Sequence, residues 1–308
     1  MAMPGPFYHN GPFISAMTGL FAGSRLILME RFDAEETLRL VAEHQATWLY
    51  TVPTMMSRIW RLPAPIRSSY DLSSLRTVWH LAAPCPVWLK EAWIGWLGPD
   101  VIWELYAGTE AQARTDISGR DWLEHRGSVG RVTYGAMRIL GPDGEELPPG
   151  QVGEVWMRGP DGTPPSYRYI GAEPRQRDGW ESLGDMGWMD ADGYLFLADR
   201  STDMILVGGE NVYPAEVEAA LESHPGIASS AVIGLPDDDL GPRVHAIVQA
   251  PADTDLDEVR RHLAGRLARY KHPRSFEIVA APLRDDAGKV RRSQLRADRI
   301  TRAADGAS

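Results

Sequence analysis

The chain is short of several things, and each shortage excludes something. It has a single cysteine, Cys85, among 308 residues, so it can form no internal disulfide and no cysteine-based metal cluster, and it points to a reducing compartment. The plain reading of Cys85 is a small buried residue rather than a nucleophile. Lysine is scarce as well. Of 32 basic residues only Lys90, Lys271 and Lys289 are lysines, so a lysine inside a motif stands out. No apolar run is long enough to cross a bilayer: the most apolar stretch, 13–29, is interrupted by glycines and Arg25, short of the roughly 20 residues required. No block of like charge forms a tail, and 42 acidic against 32 basic residues leave −10, a field that repels nucleic acid and anionic lipid. Any phosphate on a ligand must then be held by local geometry. The expectation is a soluble, cytoplasmic protein with no membrane span, internal repeat or low-complexity segment.

What is present is an ordinary globular balance, 44% hydrophobic and 24% charged, in a chain expected to divide into units of about 100–150 residues. Residues 1–124 read as an α/β layer. Asp33 and Glu36 open a helix in capping-box fashion, and WLYTVP (48–53), TVWHLAA (77–83) and VIWELYAG (101–108) are strand runs separated by helical periodicity over 54–61 and 86–97. Strand, helix, strand at this spacing implies a parallel sheet whose ends aim their loops at one crevice. From 125 to 198 turn signals crowd in around the strand candidates RVTYGAMRIL, GEVWMRG and GYLFLAD, which suits a small antiparallel or barrel-like unit. From 199 to 308 helices and strands mix again: Pro214 suits a helix first turn, SSAVIGLP and RVHAIVQA read as strands, and 255–267 carries one apolar helical face. The segment after about 300 is expected to fray.

Four short stretches could carry chemistry. YAGTE (106–110) follows a strand and offers a hydroxyl, Thr109, for a phosphate oxygen and a carboxylate, Glu110, for a divalent cation; an ordinary turn is the competing reading. Gly184-Asp185 offers a short carboxylate on a tight loop for ribose hydroxyls, or a solvated turn. ADRSTDMILVGGENVYPAEVE (198–218) combines Arg200, whose planar fork can pair with ribose or phosphate oxygens, with Gly208 and Gly209, which permit positive φ and close approach of a long ligand. It could equally be a strand-to-helix loop. DDAGKVRR (285–292) sets Lys289 after a flexible turn beside Arg291 and Arg292, either a mobile point charge for an anionic centre or a solvated basic tail.

In order along the chain, AAP (82–84), YAGTE (106–110), GSVGRV (127–132), LGD (183–185), 198–218, LPDDDLGPRVHAIV (235–248) and DDAGKVRRSQLR (285–296) resemble the ordered motifs of the adenylate-forming, AMP-binding acyl-CoA synthetase superfamily. The string as a whole looks most like its bile-acid, steroid and fatty-acid CoA ligase branch. The resemblance implies a partial large domain, an α/β sheet subdomain plus a small β-barrel-like subdomain, followed by a mobile α+β carboxy-terminal domain. It implies a ligase that uses ATP and Mg2+ to turn a carboxylic acid into acyl-AMP and then passes the acyl group to coenzyme A. By position, Ala82, Ala83, Pro84 and the ring of Tyr106 would hold adenine, Thr109 the α-phosphate, Glu110 the magnesium, and Asp185 and Arg200 the ribose. Lys289 would bridge acyl carboxylate and phosphate, and Gly208 and Gly209 would line the pantetheine path. The hinge of the carboxy-terminal domain falls on Thr202, with Asp203 sharing the role. FYHNGPF (7–13) resembles the acyl-site motif, which puts His9 there unless it is a core histidine. Trp79, His80, Trp103 and Tyr106 would surround a bulky apolar acid. Ala107 stands where the family has glycine, so its methyl would trim the acyl pocket. No aspartate is placed to meet a substrate amine.

The superfamily's Ser/Thr/Gly-rich phosphate loop, expected ahead of FYHNGPF, does not occur in the sequence. Three readings follow: a piece of a longer enzyme, a chain completed by an amino-terminal partner or a homodimer, or a remnant that binds adenylate and coenzyme A with little catalysis. An adenylation module of a carrier-protein assembly line is the least favoured reading. In each of the three a sheet face within 1–118 should lack its usual cover.

Overall fold

The structure is a computed structural model that describes residues 1–161, 163–164, 166–237, 241–285 and 288–306. It divides into two compact units: Met1–Leu197 with Gly288, and Ala198–Asp285 with Lys289 onward.

The first unit opens with β1 (Ala2–Met3), α1 (Asn10–Phe21), β2 (Ile27–Leu28), α2 (Ala34–Glu43), β3 (Trp48–Thr51), α3 (Pro53–Trp60), α4 (Ala64–Ser68), β4 (Thr77–His80), α5 (Val87–Leu97) and β5 (Ile102–Ala107). Then come β6 (Arg114–Ser118), α6 (Gly119–Glu124), β7 (Ser128–Tyr134), β8 (Ala136–Leu140), β9 (Gly153–Arg158), β10 (Arg175–Arg177), β11 (Trp180–Met189) and β12 (Leu195–Arg200). Strands β2-β1-β3-β4-β5 are parallel, and from β5 the sheet continues antiparallel through β6 and β7 to β12, β11, β9 and β8. Helix α2 begins as its sequence requires, with the Asp33 side chain accepting from the Glu36 N–H. Its Leu38 and Val41 join Leu49, Val78, Leu89, Trp93 and Ile102 in the main core. Ala16 of α1 packs with Met3, Tyr50 and Met55 in a second cluster.

Strand alternation decides which residues reach the main core. Val78, His80, Ile102 and Glu104 are buried, whereas Trp79 and Trp103, on the opposite face, are half-buried with ring centroids 5.8 Å apart. His80 is therefore not part of an aromatic acyl surround with Trp79 and Trp103; the period-2 pleat turns it the other way. Of the large apolar residues exposed in this unit, six lie early in the chain, at Tyr8, at Phe13, Ile14, Leu20 and Phe21 of α1, and at Leu28 of the edge strand β2, while Val87, Leu123, Tyr134, Val152 and Ile170 are scattered later. No helix among the described residues is long and apolar enough to cross a membrane.

Three local expectations are corrected. RVTYGAMRIL is two strands, because Gly135 at φ +70 breaks it where a Cβ would stand 2.5 Å from the carbonyl oxygens of Arg158 and Gln112. Asp185 lies inside the long strand β11, at a register shift between Ser182 and Met186 with Gly184 at φ +82, a bulge rather than a tight loop. The carboxy-terminal segment is helical to Gly306.

In the second unit β13 (Ile205–Val207) and β14 (Glu210–Val212) form a hairpin, followed by α7 (Pro214–Glu222), β15 (Ser229–Asp237), β16 (Gly241–Gln249), α8 (Leu256–Ala264), β17 (Ser275–Val279) and α9 (Arg292–Gly306). The sheet β15-β16-β17 alternates cleanly. Val232, Val244, Ala246 and Val248 pack in one cluster with Val217 and Leu221 of α7 and with Val259 and Leu263 of α8. Ala231, Ile233, Leu235 and Ile247 form another, joined by Leu295 of α9. Helix α9 holds its place through Arg296 to the Gly234 carbonyl and Arg299 to Glu277, which is why the segment past 300 stays wound.

Lys90, His80 and Glu104 sit together in the first unit's interior. Lys90 and His80 are fully buried and Glu104 nearly so, with the Lys90 ammonium 2.5 Å from Glu104 Oε2. Burial, helped by the Lys90 charge, holds the His80 imidazole well below its ordinary 6.5. The unfolded chain therefore takes up a proton near pH 6.5 that the folded chain refuses. The stability at stake is complete above pH 6.5 and is lost as pH falls toward the folded value, at a limiting slope of about 1.4 kcal/mol per pH unit. Urea unfolding between about pH 5 and 7.5 should show this acid slope, shallower in His80→Leu; equal slopes would mean that His80 titrates normally.

Candidate functional site

The parallel strand ends present two loops. After β4, residues 81–86 carry Ala82, Ala83 and Pro84, with Ala82 and Pro84 exposed and Ala83 half-buried. Ala82 adopts φ +76, the left-handed region that a Cβ disfavours. After β5, Tyr106 and Ala107 lead into Gly108, Thr109 and Glu110, and Ala111 follows at φ +56. Two of the four non-glycine residues at positive φ thus lie in these two loops, where strain tends to collect at ligand sites.

The structure brings Tyr106 and Asp185 together across 79 residues of sequence: the Tyr106 hydroxyl donates to Asp185 Oδ2 at 2.7 Å. The β11 bulge makes this bond available. The Gly184 N–H donates to the Ser182 hydroxyl, which itself donates to Glu154 Oε1 at 2.6 Å, so the backbone on either side of the bulge is tied down. An aromatic face and a carboxylate are fixed side by side, the pairing that an adenosine requires.

Glu110 is placed by residues that sequence reasoning missed. Tyr169 donates its hydroxyl to Glu110 Oε1 and Ser166 donates to the Glu110 carbonyl, both at 2.7 Å. Tyr167, its ring 4.9 Å from that of Tyr169, donates to Glu181, which also accepts from Gln112 and Gln176. Burial works to raise the Glu181 pKa, but the three donors outweigh it and hold the carboxyl below its usual range. The signal available was the Tyr-x-Tyr spacing in a Pro/Gly-rich stretch, which sets both rings on one side of an extended backbone. Ala107 and Glu110 line a cavity of about 510 Å³ with Arg114, Tyr134, Arg158 and Tyr167. A half-exposed carboxylate oxygen donor at such a cavity fits a hard divalent cation. Thr109 is exposed beside it, but it does not line the cavity, and neither do His9, Trp79, Tyr106 and Asp185. His9 is the N-cap of α1, its ring 4.5 Å from that of Tyr8, with a buried Nε2 that has no partner among the described residues.

The remaining candidates belong to the second unit. Gly208 (φ +57) and Gly209 (φ +89) form the two-residue tip of the β13–β14 hairpin, exposed and with nothing within 4 Å of where a Cβ would be. Consecutive positive φ values are what a type I′ turn needs, so the glycine pair is a hairpin tip rather than a strand-to-helix loop. Arg200 and Thr202 are exposed, and Asp203 accepts from Arg292 Nη1 at 3.0 Å. Arg292 also grips both oxygens of Glu218, and Arg284 pairs with Glu218 and Glu222. Arg292 is therefore an interior anchor, not part of a solvated basic tail. Lys289 lies between these two arginines, exposed, with its N–H donating to Asp285 Oδ1 and its carbonyl accepting from the Asp285 N–H. Cys85 packs against the main core, and burial, with the Glu104 charge, pushes its thiol pKa up, the opposite of an activated nucleophile.

Two sequence profiles match this arrangement, that of the AMP-binding enzymes over residues 1–167 and that of the AMP-binding enzyme C-terminal domain over 216–289. The chain belongs to the AMP-binding enzyme family. It is 33% identical to sulfoacetate–CoA ligase of Cupriavidus necator, the alignment covering 94% of this chain and 57% of that one. It is 37% identical to a 7a-methyl-1,5-dioxo-octahydroindenyl-propanoyl:CoA ligase of Mycobacterium tuberculosis, over 94% and 57%. Among solved structures, o-succinylbenzoate CoA synthetase from Bacillus subtilis in complex with its acyl-adenylate intermediate matches with a TM-score of 0.80 and 28% identity, over 96% of this chain and 60% of that one. The chain thus spans about three-fifths of the length of the relatives it matches. The mixed α/β fold with a separate small α+β carboxy-terminal domain is that of the adenylate-forming enzymes.

Ala82 offers a direct check on loop strain. Left-handed backbone at a residue with a Cβ costs about 1–2 kcal/mol, and glycine returns up to about 1 kcal/mol of that through its freer unfolded chain. Ala82→Gly should therefore stabilise the protein by about 0.5–1 kcal/mol in urea unfolding. A loss of stability would show that the loop does not hold this conformation.

Proposed function

We propose that the chain is the nucleotide- and coenzyme-A-handling part of an ATP-dependent acid–CoA ligase. The observation that carries this reading is the Tyr106–Asp185 bond, a tyrosine hydroxyl and a carboxylate oxygen 2.7 Å apart, which sets an aromatic ring and a ribose-seeking carboxylate side by side just ahead of Thr109 and Glu110. In step one a carboxylate oxygen of the acid bonds to the α-phosphorus of ATP and pyrophosphate leaves. In step two the thiol sulfur of coenzyme A bonds to the acyl carbon, and AMP leaves with the electron pair.

The chain's own residues act by binding and by charge. Ala82, Ala83 and Pro84 supply backbone to the adenine edge, the Tyr106 ring covers its face, and Asp185 and Arg200 take the ribose hydroxyls. Thr109 donates to the α-phosphate. Glu110 would hold Mg2+, which would offset phosphate charge when bound. Lys289 bridges the acyl carboxylate and the phosphate, meeting the negative charge that gathers as phosphorus changes partners. Thr202 and Asp203 form the hinge that alternates the lysine turn and the Gly208-Gly209 tip between the two steps, and the exposure of that tip supports a role beside a long ligand.

For the acid we propose a bulky apolar carboxylate. The half-buried Trp79–Trp103 pair, the partnerless His9 ring nitrogen and a relative named for a fused bicyclic acid support this. Ala107, at the cavity wall, would narrow the site. The exposed apolar residues of α1 and β2 support an amino-terminal partner or a second copy of the chain covering that face. The lone Cys85 supports a cytoplasmic, reducing location.

Calorimetry on the full chain should show AMP binding that weakens about tenfold or more in Asp185→Ala. With the amino-terminal portion of a relative joined, Lys289→Ala should lower acyl-adenylate formation about a hundredfold or more while AMP affinity stays within about twofold. AMP binding without turnover in the joined protein would instead favour a binding remnant, and no AMP binding would overturn the nucleotide reading.

A further inference from the structure

We propose that Lys90, Glu104 and His80 are positioning residues for the nucleotide loops, a buried clamp that fixes residues 81–86 against the start of 106–110. The proposal rests on the nucleotide reading above. Leu81–Pro86 leave β4 directly after His80 and enter α5, whose first turns carry Lys90. Both flanks of this six-residue loop face one oxygen, Glu104 Oε2: Lys90 Nζ is bonded to it at 2.5 Å, and His80 Nε2 packs 3.8 Å away, beyond hydrogen-bond length. His80 and Glu104 are direct partners in the parallel β4–β5 register. Glu104 in turn stands two residues before Tyr106, on the same face of β5. One carboxylate therefore meets the entrance and exit of the adenine loop and the strand that delivers the adenine ring.

Stability does not account for this arrangement. Lys90 and His80 are fully buried and Glu104 is 6% exposed, and an interior ion pair is on balance no more stabilising than well-packed apolar side chains. Neither His80 ring nitrogen has a partner among the described residues, a further cost. What an ion pair supplies is direction, since it is satisfied in one geometry, whereas apolar contacts tolerate a slip. The loop needs such a constraint because Ala82 is held at φ +76, and strained backbone persists only where its surroundings over-determine it. The Lys90 ammonium is also fixed from above by the Trp122 ring, 5.0 Å away. None of the three side chains is placed to touch the nucleotide; each acts through the loops.

The single thiol of the chain reports on the clamp, because Cys85 lies inside the clamped loop and is sensitive to the Glu104 charge. In the full chain, Lys90→Met combined with Glu104→Leu removes both charges and leaves an apolar interior. The variant should melt within a few degrees of wild type, bind AMP about tenfold more weakly by calorimetry, and be alkylated at Cys85 by iodoacetamide about tenfold faster. Should it not fold, Glu104→Asp, which keeps both charges but shortens the reach to Lys90, should shift both readouts in the same directions by about threefold. Ile59→Val, in the same core, should lose stability while leaving AMP affinity and alkylation unchanged. A folded clamp variant with AMP affinity within about twofold of wild type and unchanged alkylation overturns the proposal, as does an Ile59→Val that moves both readouts equally. Failure of the wild type to bind AMP would overturn the nucleotide reading instead, and the alkylation rates would still decide the clamp.

Discussion

The first unit depends on an ion pair placed where charge is least welcome. Lys90 and Glu104 meet at 2.5 Å between α5 and β5, and burial raises the carboxyl's pKa while the ammonium beside it pulls the other way. Neither partner can be removed alone without stranding the other, a cost of about 3–5 kcal/mol in comparable interiors. The pair joins α5 to β5 beside the two loops that leave β4 and β5, so on the proposed reading it aligns those loops, while the backbone ladder sets the register of the two strands.

Much of this was legible in the sequence, because strands β3, β4 and β5 and helices α2, α3 and α5 obey simple periods, whereas the two-residue strands β1 and β2 and helices α1 and α4 were not expected. Asp33 caps the helix it was expected to cap, and Trp48–Thr51 and Ile102–Ala107 form strands where apolar runs end at Pro53 and Gly108. The misses share a cause, which is that they depend on partners distant in sequence. Trp180–Met189 lacks strict alternation because its bulge, tied down by Ser182 and Glu154, puts Gly184-Asp185 inside a strand. Ser275–Val279 becomes a strand by pairing with residues 245–249. The residues after 300 stay helical because Arg296 and Arg299 earlier in the helix are bound to residues 62 and 22 positions away.

The candidate site divides along the same line. Backbone features of the motifs were readable: Ala82–Pro84 follow a strand end, and Gly208 and Gly209 have positive φ, although the hairpin they close was not foreseen. Roles that depend on a tertiary partner were not. Tyr169 on Glu110, and Arg292 joining Asp203 to Glu218, have no signature beyond being a tyrosine or an arginine. His80 was misread for the opposite reason, since its neighbours in sequence, Trp79 and Leu81, say nothing about the face on which the pleat sets it.

On the proposed reading, charge compensation for a triphosphate on this acidic chain must be local, and the residues proposed for it are unevenly spread over the two units. Of the residues assigned to the nucleotide, the first unit contributes two carboxylates, Asp185 and Glu110, and no cation, while Arg200 and Lys289 both belong to the second. Adenine and ribose recognition, which need an aromatic face, backbone polar groups and an acceptor, can be satisfied by the first unit's residues. Phosphate recognition needs cations as well, because carboxylates alone near a polyanion repel it, and Arg114 and Arg158 of the first unit line the same cavity as Glu110. Nucleoside affinity should therefore depend on Tyr106 and Asp185, and the contribution of each phosphate on Lys289, Arg200 and a divalent ion at Glu110. Arg284 and Arg292 matter in that setting because they fix both flanks of the lysine turn to Glu218. The cation can then be delivered from a rigid base instead of a loose tail, so that less ordering entropy is lost when it engages phosphate.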